Sequence, residues 1–423
     1  MIHSSNQAVD TMWLKKTVRV QLCLVWVVSL LACWWVDLYY FPATTLFPDE
    51  KRFLASAANW LSNGNFMSNG GYAWEMPLPS MCFALLHQAV GGGEAALIQA
   101  IRVAQSFLLL VQSWLVWQMT RKIFTGDRAA FLAAAITPLY PFLIFYQALA
   151  LSETIFNTLL LATFAALYTW REKGCRVDWW LIAVMILAGL ATYAKASLAL
   201  LPPLLLAIVA WSGGHGRARS LAILVVGVAV YSAVLAPWWV RNYLVFEEFV
   251  PFTTSSAANF YLGNNAANRS GGNDWSHDSE INVVDRINAL PNELDQQAAY
   301  AKAARDFVTH HPRRFLELAW CKFKRYWSVT PNAEGYNSGG RAAIAALSFG
   351  PVLVLSLLGL ALNRQYWRAL LPIYLLIAYF TLLHTLTIAS LRYRLPLEPF
   401  LIILAAGTAS ALIERRQSHA HHE

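Results

Sequence analysis

An all-α protein that crosses a membrane many times is the fold class that this sequence predicts, on three observations. Hydrophobic residues make up 57% of the 423 positions. Charged residues make up only 13%, about half of the roughly 25% found in soluble domains. Apolar runs of bilayer-crossing length, about 20 residues, recur along the chain. A single core helix hidden in a soluble domain would not recur in this way.

Ten segments have the composition and approximate length of membrane-spanning helices. The first resembles the apolar region of a signal peptide, but it is too long and lacks a small-residue cleavage site. We therefore interpret it as a retained signal anchor. The ten predicted spans are 18–39, 96–118, 128–146, 153–170, 179–194, 196–211, 220–239, 342–362, 369–389 and 396–413.

Clusters of Lys and Arg orient these spans, because short loops rich in these residues stay in the cytoplasm. If the spans alternate in direction, all such clusters but one fall on the same face, and both termini are cytoplasmic. The clusters on that face are Lys15, Lys16 and Arg19; Arg121, Lys122 and Arg128; Arg171, Lys173 and Arg176; Arg217 and Arg219; Arg364 and Arg368; Arg415 and Arg416. The net charge is +8, but many of the Lys and Arg residues lie in these short clusters at the ends of apolar runs, which argues against nucleic acid as a partner.

This topology divides the chain into four parts. Residues 1–239 form an N-terminal transmembrane module that includes a first outer loop, 40–95. Residues 240–341 form a small extracytoplasmic loop domain, residues 342–413 the C-terminal transmembrane helices, and the remainder, from 414 to 423, a cytoplasmic tail.

Two segments outside the spans have apolar residues at helical spacing. Residues 53–61 repeat apolar side chains at intervals of three and four, which predicts a helix lying on the membrane. Residues 312–327 combine apolar and basic positions, a pattern typical of a helix in the membrane interface. The basic side chains of such a helix most often only reach lipid headgroups.

Arg392, Tyr393 and Arg394 are the exception to the charge rule, since they lie between the last two spans on the predicted outer side. Fixed cations at that face suit the phosphate of an anionic lipid. Arginine is suited to phosphate because its planar guanidinium can donate two hydrogen bonds at once.

Acidic residues begin the first outer helix, in the run Pro48-Asp49-Glu50-Lys51-Arg52. Acidic side chains near a helix start commonly cap it and oppose its dipole, and this alone would explain Asp49. The functional interpretation is a carboxylate at the boundary of water and lipid that takes a proton from a hydroxyl. Both interpretations stand at this point.

Glu75 lies among Trp74, Met76 and Pro77. A lone outer Glu is usually just solvated, but an acid in these surroundings suggests a cationic partner, with Arg52, Lys195, Arg392 and Arg394 as the candidates. The prolines at positions 77 and 79 make a regular helix unexpected here.

Lys195 interrupts a long apolar stretch, and at the centre of a spanning helix it would cost about 3 kcal/mol. It marks either the outer turn between two short spans or a buried lysine, and in both cases we expect it to have a partner. Glu153 follows Ser152 at the outer end of the fourth span, where capping of the helix is the simplest explanation.

The ionisable residues therefore gather at one face, with His384 the main exception at mid-membrane depth. A transporter or flippase of lipid-linked saccharides, the alternative function, would place ionisable residues and broken helices near the midplane. A non-catalytic protein that binds a polyprenyl lipid is a third possibility. No cluster of His or Asp calls for a metal, and the five cysteines have neither paired nor metal-ligand spacing.

Several short motifs occur in a fixed order, and together they resemble the bacterial GT-C glycosyltransferases. The branch resembled is the one related to protein O-mannosyltransferases and the lipid A aminoarabinose transferase (glycosyltransferase family 39). The resemblance extends over residues 15–413. The motifs are Pro48-Asp49-Glu50, Trp74-Glu75-Met76-Pro77, Leu151-Ser152-Glu153-Thr154, Gly189-Leu190-Ala191-Thr192, Pro237-Trp238-Trp239-Val240-Arg241-Asn242-Tyr243, Tyr261-Leu262-Gly263-Asn264-Asn265 and Arg392-Tyr393-Arg394-Leu395-Pro396-Leu397-Glu398-Pro399.

The resemblance implies a GT-C bundle of about ten transmembrane helices with outer juxtamembrane helices. It also implies an enzyme of a bacterial inner membrane that transfers sugar from a polyprenyl phosphate to a lipid, glycan or protein acceptor outside the cytoplasm. Asp49 corresponds to the catalytic base of the family, with Glu75 as the second catalytic carboxylate. Where the family usually has Glu-Lys-Pro-Pro, this chain has Met76 in place of the Lys. Binding of the donor phosphate is therefore expected from four cations, namely Lys195, Arg392, Arg394 and Arg52.

Glu50, Glu153 and Tyr393 complete the candidate site. The resemblance implies no certain cofactor, although some relatives use a divalent ion. Sugar, acceptor and oligomeric state are not specified by these motifs.

Overall fold

The computed structural model describes residues 2–68, 71–214, 216–272, 278–332 and 336–420. Within these ranges the chain is almost wholly helical, with no β-strand and one isolated antiparallel bridge between Ser68 and Gly71. This confirms the predicted all-α fold. The helices are α1 (Ile2–Tyr39), α2 (Pro48–Asn63), α3 (Leu78–Val90), α4 (Glu94–Ile123), α5 (Asp127–Ile136), α6 (Pro141–Gln147), α7 (Glu153–Glu172), α8 (Trp179–Ala194), α9 (Leu201–Ser212), α10 (Arg217–Phe246), α11 (Ser255–Gly263), α12 (Asp278–Asn288), α13 (Glu293–His310), α14 (Pro312–Tyr326), α15 (Gly339–Leu362), α16 (Trp367–Leu386), α17 (Leu391–Arg394) and α18 (Glu398–Ala420).

The chain is a multi-pass membrane protein. In the described residues, 6 helical segments are long and apolar enough to cross a bilayer, or up to 7 if the bent pair α5 and α6 counts as one. Each of the ten predicted spans coincides with a helix or a bent pair. The helices α8 and α9 are short because the chain leaves helical geometry at Lys195 and α9 starts with prolines.

One helix lies where the sequence predicted irregular backbone. Prolines 77 and 79 were expected to prevent a regular helix, yet α3 begins at Leu78. The expectation was wrong because Pro79 falls in the first helical turn, where no intrahelical partner is needed for the missing N–H. The first loop region, 40–95, therefore contains two helices, α2 and α3.

A buried polar cluster fixes the end of α1 against the bundle. Arg102 on α4 is buried and donates to the carbonyl oxygens of Ala148 (2.9 Å) and Pro42 (2.9 Å). Gln147 donates to the carboxylate of Asp37 at 3.2 Å. The two arginine bonds satisfy carbonyl oxygens of irregular backbone, one between α1 and α2 and one between α6 and α7.

Helix α14 packs on the end of α16 through a buried lysine. The Lys322 ammonium donates to the Asn264 side-chain oxygen (2.6 Å) and to the carbonyl oxygens of Leu386 (3.1 Å) and Thr387 (3.0 Å). Gly263 is required at this contact, because a Cβ there would lie 1.9 Å from the Thr387 oxygen. The lysine thus caps the last carbonyls of α16, just before the segment that carries Arg392.

The predicted interface helix, 312–327, is present as α14. Its buried residues, among them Leu318 and Lys322, face the protein, while Leu316, Trp320 and Phe323 are exposed. Placement of this exposed face in the membrane interface stays a prediction.

Candidate active site

The start of α2 is held in place by Glu50. This carboxylate is fully buried and accepts hydrogen bonds from the backbone N–H groups of Leu46 (2.8 Å), Phe47 (3.0 Å) and Ala150 (2.9 Å). Two of these donors belong to the start of α2 and the third to the turn before α7. Glu50 therefore ties the helix that carries Asp49 to the helix that carries Glu153.

Six side chains of alternating charge form one connected group, which we call the charge network. Its members come from α2, the loop before α3, the start of α7, the break after α8, and α17. In order of contact they are Glu75, Arg52, Asp49, Arg392, Glu153 and Lys195. All six were predicted from the sequence as site residues.

Asp49 lies at the centre of the network, between two arginines. Its Oδ1 accepts from the Nη2 of Arg52 and its Oδ2 from the Nη1 of Arg392. The Asp49 side chain is 29% exposed, more than any other carboxylate in the network. Asp49 thus makes two ion pairs while keeping a face toward the surroundings.

Glu153 anchors the opposite side of Arg392. It accepts from the Nε and, at 3.3 Å, from the Nη2 of Arg392, so that the pair is bidentate. Its Oε1 also accepts from Lys195 at 2.9 Å. The Glu153 side chain has 0% exposure, and a buried carboxylate with two cations keeps its charge and their geometry fixed.

Glu75 holds Arg52 from the far side, with its Oε1 2.9 Å from the Arg52 Nε. Its Oε2 is buried without a hydrogen-bond partner. Burial raises the pKa of Glu75 to about 7, even though Arg52 lowers it. Burial thus places the ionisation of Glu75 near neutral pH.

The loop that carries Glu75 is attached to α13 by Glu293. This carboxylate accepts from the backbone N–H of Tyr72 (2.7 Å) and Ala73 (3.3 Å) and from the Thr254 hydroxyl. The attachment explains how a loop with little regular structure holds Glu75 in place.

The aromatic ring of Tyr393 lies beside the charge network. Its ring stacks on His384, with centroids 4.7 Å apart and planes 3° from parallel. The Lys195 ammonium lies 5.6 Å from the centroid of the Tyr393 ring, within range of a cation–π contact. His384, the predicted mid-membrane exception, thus supports this ring.

Arg394 is not brought together with the other predicted phosphate ligands. It is completely buried and bonds the Glu398 carboxylate at 2.8 Å and the carbonyl oxygens of Tyr326 (3.0 Å) and Ser328 (2.7 Å). Its guanidinium also lies 3.4 Å from the ring centroid of Phe349. Arg394 joins α14, α15 and α18 and has no contact with Asp49 or Glu153 in the structure.

Sequence reasoning missed three residues that position this site: Arg102, Glu293 and Lys322. Arg102 lies within the predicted span 96–118, and its charge inside an apolar segment was the only signal in the sequence. Glu293 is the first residue of α13, a position where an acidic side chain ordinarily only caps the helix. Lys322 occupies an apolar position of the amphipathic pattern in α14, and that misplaced charge was the available signal.

The donor set does not fit a divalent metal. Among the described residues, no group of three or more His, Cys, Asp or Glu side chains lies close enough together to hold one. The carboxylates of the site instead face guanidinium and ammonium groups, which compete with a cation for the same oxygens.

A family model matches the central part of the chain. Residues 80–240 match the dolichyl-phosphate-mannose-protein mannosyltransferase model, fewer than half of the 423 positions. No curated protein sequence matches the chain significantly.

Solved structures share the fold at low sequence identity. The oligosaccharyltransferase AglB from Archaeoglobus fulgidus, in complex with an inhibitory peptide and a dolichol-phosphate, is 13% identical, with a TM-score of 0.57 over 95% of this chain and 51% of that chain. The apo form of the oligosaccharyltransferase from that organism gives 11% identity and a TM-score of 0.58 with the same coverage. This chain therefore spans about half the length of those proteins.

A third structure is ArnT from Cupriavidus metallidurans, bound to undecaprenyl phosphate. It is 17% identical over 94% of this chain and 78% of that chain, but its TM-score of 0.45 carries no structural argument. The family model, that of a mannosyltransferase, confirms the predicted resemblance to the GT-C glycosyltransferases over residues 80–240. The AglB structures show a similar fold.

Proposed function

We propose that this chain is an integral-membrane glycosyltransferase that moves a sugar from a polyprenyl phosphate to an acceptor outside the cytoplasm. The observation that carries the proposal is the charge network, in which a partly exposed carboxylate, Asp49, lies between two arginines. A transferase of this kind needs both a proton acceptor and fixed cations for a leaving phosphate. The GT-C fold of the chain supports the same function.

The proposed reaction is a single displacement with inversion. The oxygen of the acceptor hydroxyl attacks the anomeric carbon, and its proton passes to Asp49. The bond between that carbon and the phosphate oxygen breaks, and the phosphate leaves with the electron pair. Polyprenyl phosphate and the glycosylated acceptor are the products.

Arg52, Arg392 and Lys195 are proposed to stabilise the leaving phosphate. Negative charge grows on its oxygens in the transition state, so cations already fixed in place favour that state over the bound substrate. Two carboxylates hold these cations in place: Glu75 lies 2.9 Å from Arg52, and Glu153 lies 2.9 Å from Lys195. We assign Arg394 no contact with the donor.

The proposed location is a bacterial inner membrane, with the charge network on the periplasmic side and both termini in the cytoplasm. The distribution of Lys and Arg in the sequence supports this orientation. Helices α11 and α13 contact the loop that carries Glu75, and we propose that these two helices contact the acceptor.

Release of free polyprenyl phosphate from a polyprenyl-phosphate sugar tests this function, with the full chain in lipid nanodiscs. The wild type should release it in the presence of an acceptor extract from bacterial envelopes. Asp49→Asn should reduce turnover by about 10²–10⁴-fold, the usual contribution of a general base. Transport of the intact donor across a vesicle membrane without release would indicate a flippase instead.

The matched control is Asp285→Asn. Asp285 is an exposed aspartate on α12 without an ion pair to the described residues, so this variant loses the same charge away from the site. Its turnover should equal that of the wild type, and a comparable loss in both variants would remove Asp49 from the proposed role.

A further inference from the structure

Each cation that faces the proposed phosphate is already paired with a carboxylate in the charge network. A phosphate that binds the same edges of these cations therefore competes with one of their carboxylate partners. The contacts differ enough to identify which partner is replaced.

Arg392 uses separate edges of its guanidinium for its two partners. The Nε and Nη2 atoms face the buried Glu153, and the remaining Nη1 faces Asp49. Arg52 is divided in the same way, with its Nε on Glu75 and its Nη2 on Asp49. Both arginines are thus anchored on one side and turned toward Asp49 on the other.

Asp49 is the partner that can leave. Its side chain is the most exposed carboxylate of the network, and it makes a single contact to each arginine. Glu153 is completely buried with a bidentate contact and a lysine, so removing it from Arg392 would leave a charge buried without its principal partner.

We infer that Asp49 occupies the phosphate position of the empty enzyme, and that the donor phosphate releases it by taking over the Nη atoms of Arg52 and Arg392. This inference rests on the proposed function. Phosphate can replace a carboxylate here because it also accepts paired N–H groups of arginine and carries at least as much negative charge.

The exchange implies an order of binding. While both arginines hold Asp49, the carboxylate cannot rotate toward an acceptor hydroxyl without breaking an ion pair, and its charge is shared with two guanidinium groups. Once phosphate holds the arginines, the carboxylate is free to rotate toward that hydroxyl. Asp49 therefore becomes the stronger base when a donor is in place, and an acceptor that binds alone is not activated.

The test is the affinity of the full chain in nanodiscs for polyprenyl phosphate, without sugar or acceptor. A base that does not touch the phosphate ligands would leave this affinity unchanged when neutralised. The exchange predicts the opposite of an ordinary loss-of-function variant: Asp49→Asn binds about tenfold more tightly, because a competing charged acceptor is gone. Asp49→Ala should change affinity in the same direction, and Asp49→Glu, which keeps the charge, should stay near the wild type.

Two further variants identify the cause. Asp285→Asn removes the same charge from an exposed position, and its affinity should equal that of the wild type. In the Arg52→Gln, Arg392→Gln background, neutralising Asp49 should no longer raise affinity, since the effect acts through those two side chains.

Unchanged or weaker binding by folded Asp49→Asn and Asp49→Ala overturns the exchange and leaves the proposed function standing. An equal gain in Asp285→Asn also overturns it, because the effect would then be general electrostatics. Failure of the wild type to bind polyprenyl phosphate at all refutes the proposed function itself.

Discussion

Arg392 and Arg394 are two residues apart in one short helix, yet they lie in regions of opposite character. Arg392 belongs to the charge network and is 21% exposed, with partners on two different helices. Arg394 has 0% exposure and is enclosed by Glu398, two backbone carbonyls and an aromatic ring. A charge that keeps an accessible edge can exchange partners, whereas a fully enclosed charge can only hold the structure together.

The largest expected effect is on protein stability, when the enclosed Arg394 is replaced. Arg394→Met would leave the buried Glu398 without its cation and two carbonyl oxygens without a donor. We expect a loss of about 3–5 kcal/mol in the free energy of unfolding, seen as a lower Tm and poor yield in detergent. Recovery of stability in the double variant Arg394→Met, Glu398→Gln would show that the unpaired carboxylate is the cause.

Arg392→Gln is the matched change in the accessible region. We expect kcat/KM for sugar transfer to fall by about 10²–10³-fold, as when one stabilising donor is removed from a transition state. The Tm should fall less than in Arg394→Met, since Glu153 keeps Lys195. A large loss of stability with little loss of sugar transfer would show that Arg392, like Arg394, only stabilises the fold.

Glu75 should give the network a pH dependence. Its pKa in the folded protein, about 7, is above the ordinary value of 4.5, so the protonated form is favoured by folding. Protonation of Glu75 contributes at most about 3 kcal/mol to the free energy of unfolding. This contribution is fully present below pH 4.5 and is lost as the pH rises through 7. Glu75→Gln should therefore remove a decline in Tm between pH 4.5 and 7, and identical pH profiles for variant and wild type would refute the assignment.

The smallest expected effect is that of Lys195→Gln. Glu153 keeps its bidentate arginine, so the framework survives, and one of three proposed phosphate cations is lost. We expect affinity for polyprenyl phosphate to fall by about tenfold or less, with a Tm close to the wild type. A loss of affinity larger than that of Arg392→Gln in the same binding measurement would show that the lysine, and not the arginine, dominates phosphate binding.

The fold could be predicted from the sequence because bilayer-crossing segments are long runs of apolar residues. Each predicted span coincides with a helix or a bent pair, while α3 was missed because Pro79 was judged without knowing where the helix begins. The contacts among Asp49, Arg52, Glu75, Glu153, Lys195 and Arg392 agree with their grouping by sidedness in the sequence.

The difference between Arg392 and Arg394 could not be predicted by charge and sidedness alone. Residues two apart on a helix project about 200° from each other, so the two arginines of α17 point to opposite sides. Only the neighbours brought by α14, α15 and α18 decide which side is buried. Glu293 and Lys322 were likewise hidden, because their partners are far away in sequence or are backbone groups.

A structure of the full chain with polyprenyl phosphate bound tests the central claim most directly. We predict phosphate oxygens within hydrogen-bonding distance of the Nη atoms of Arg52 and Arg392, Asp49 rotated away from both, and Arg394 still paired with Glu398. Phosphate bound elsewhere, with the Asp49 ion pairs intact, would contradict the account.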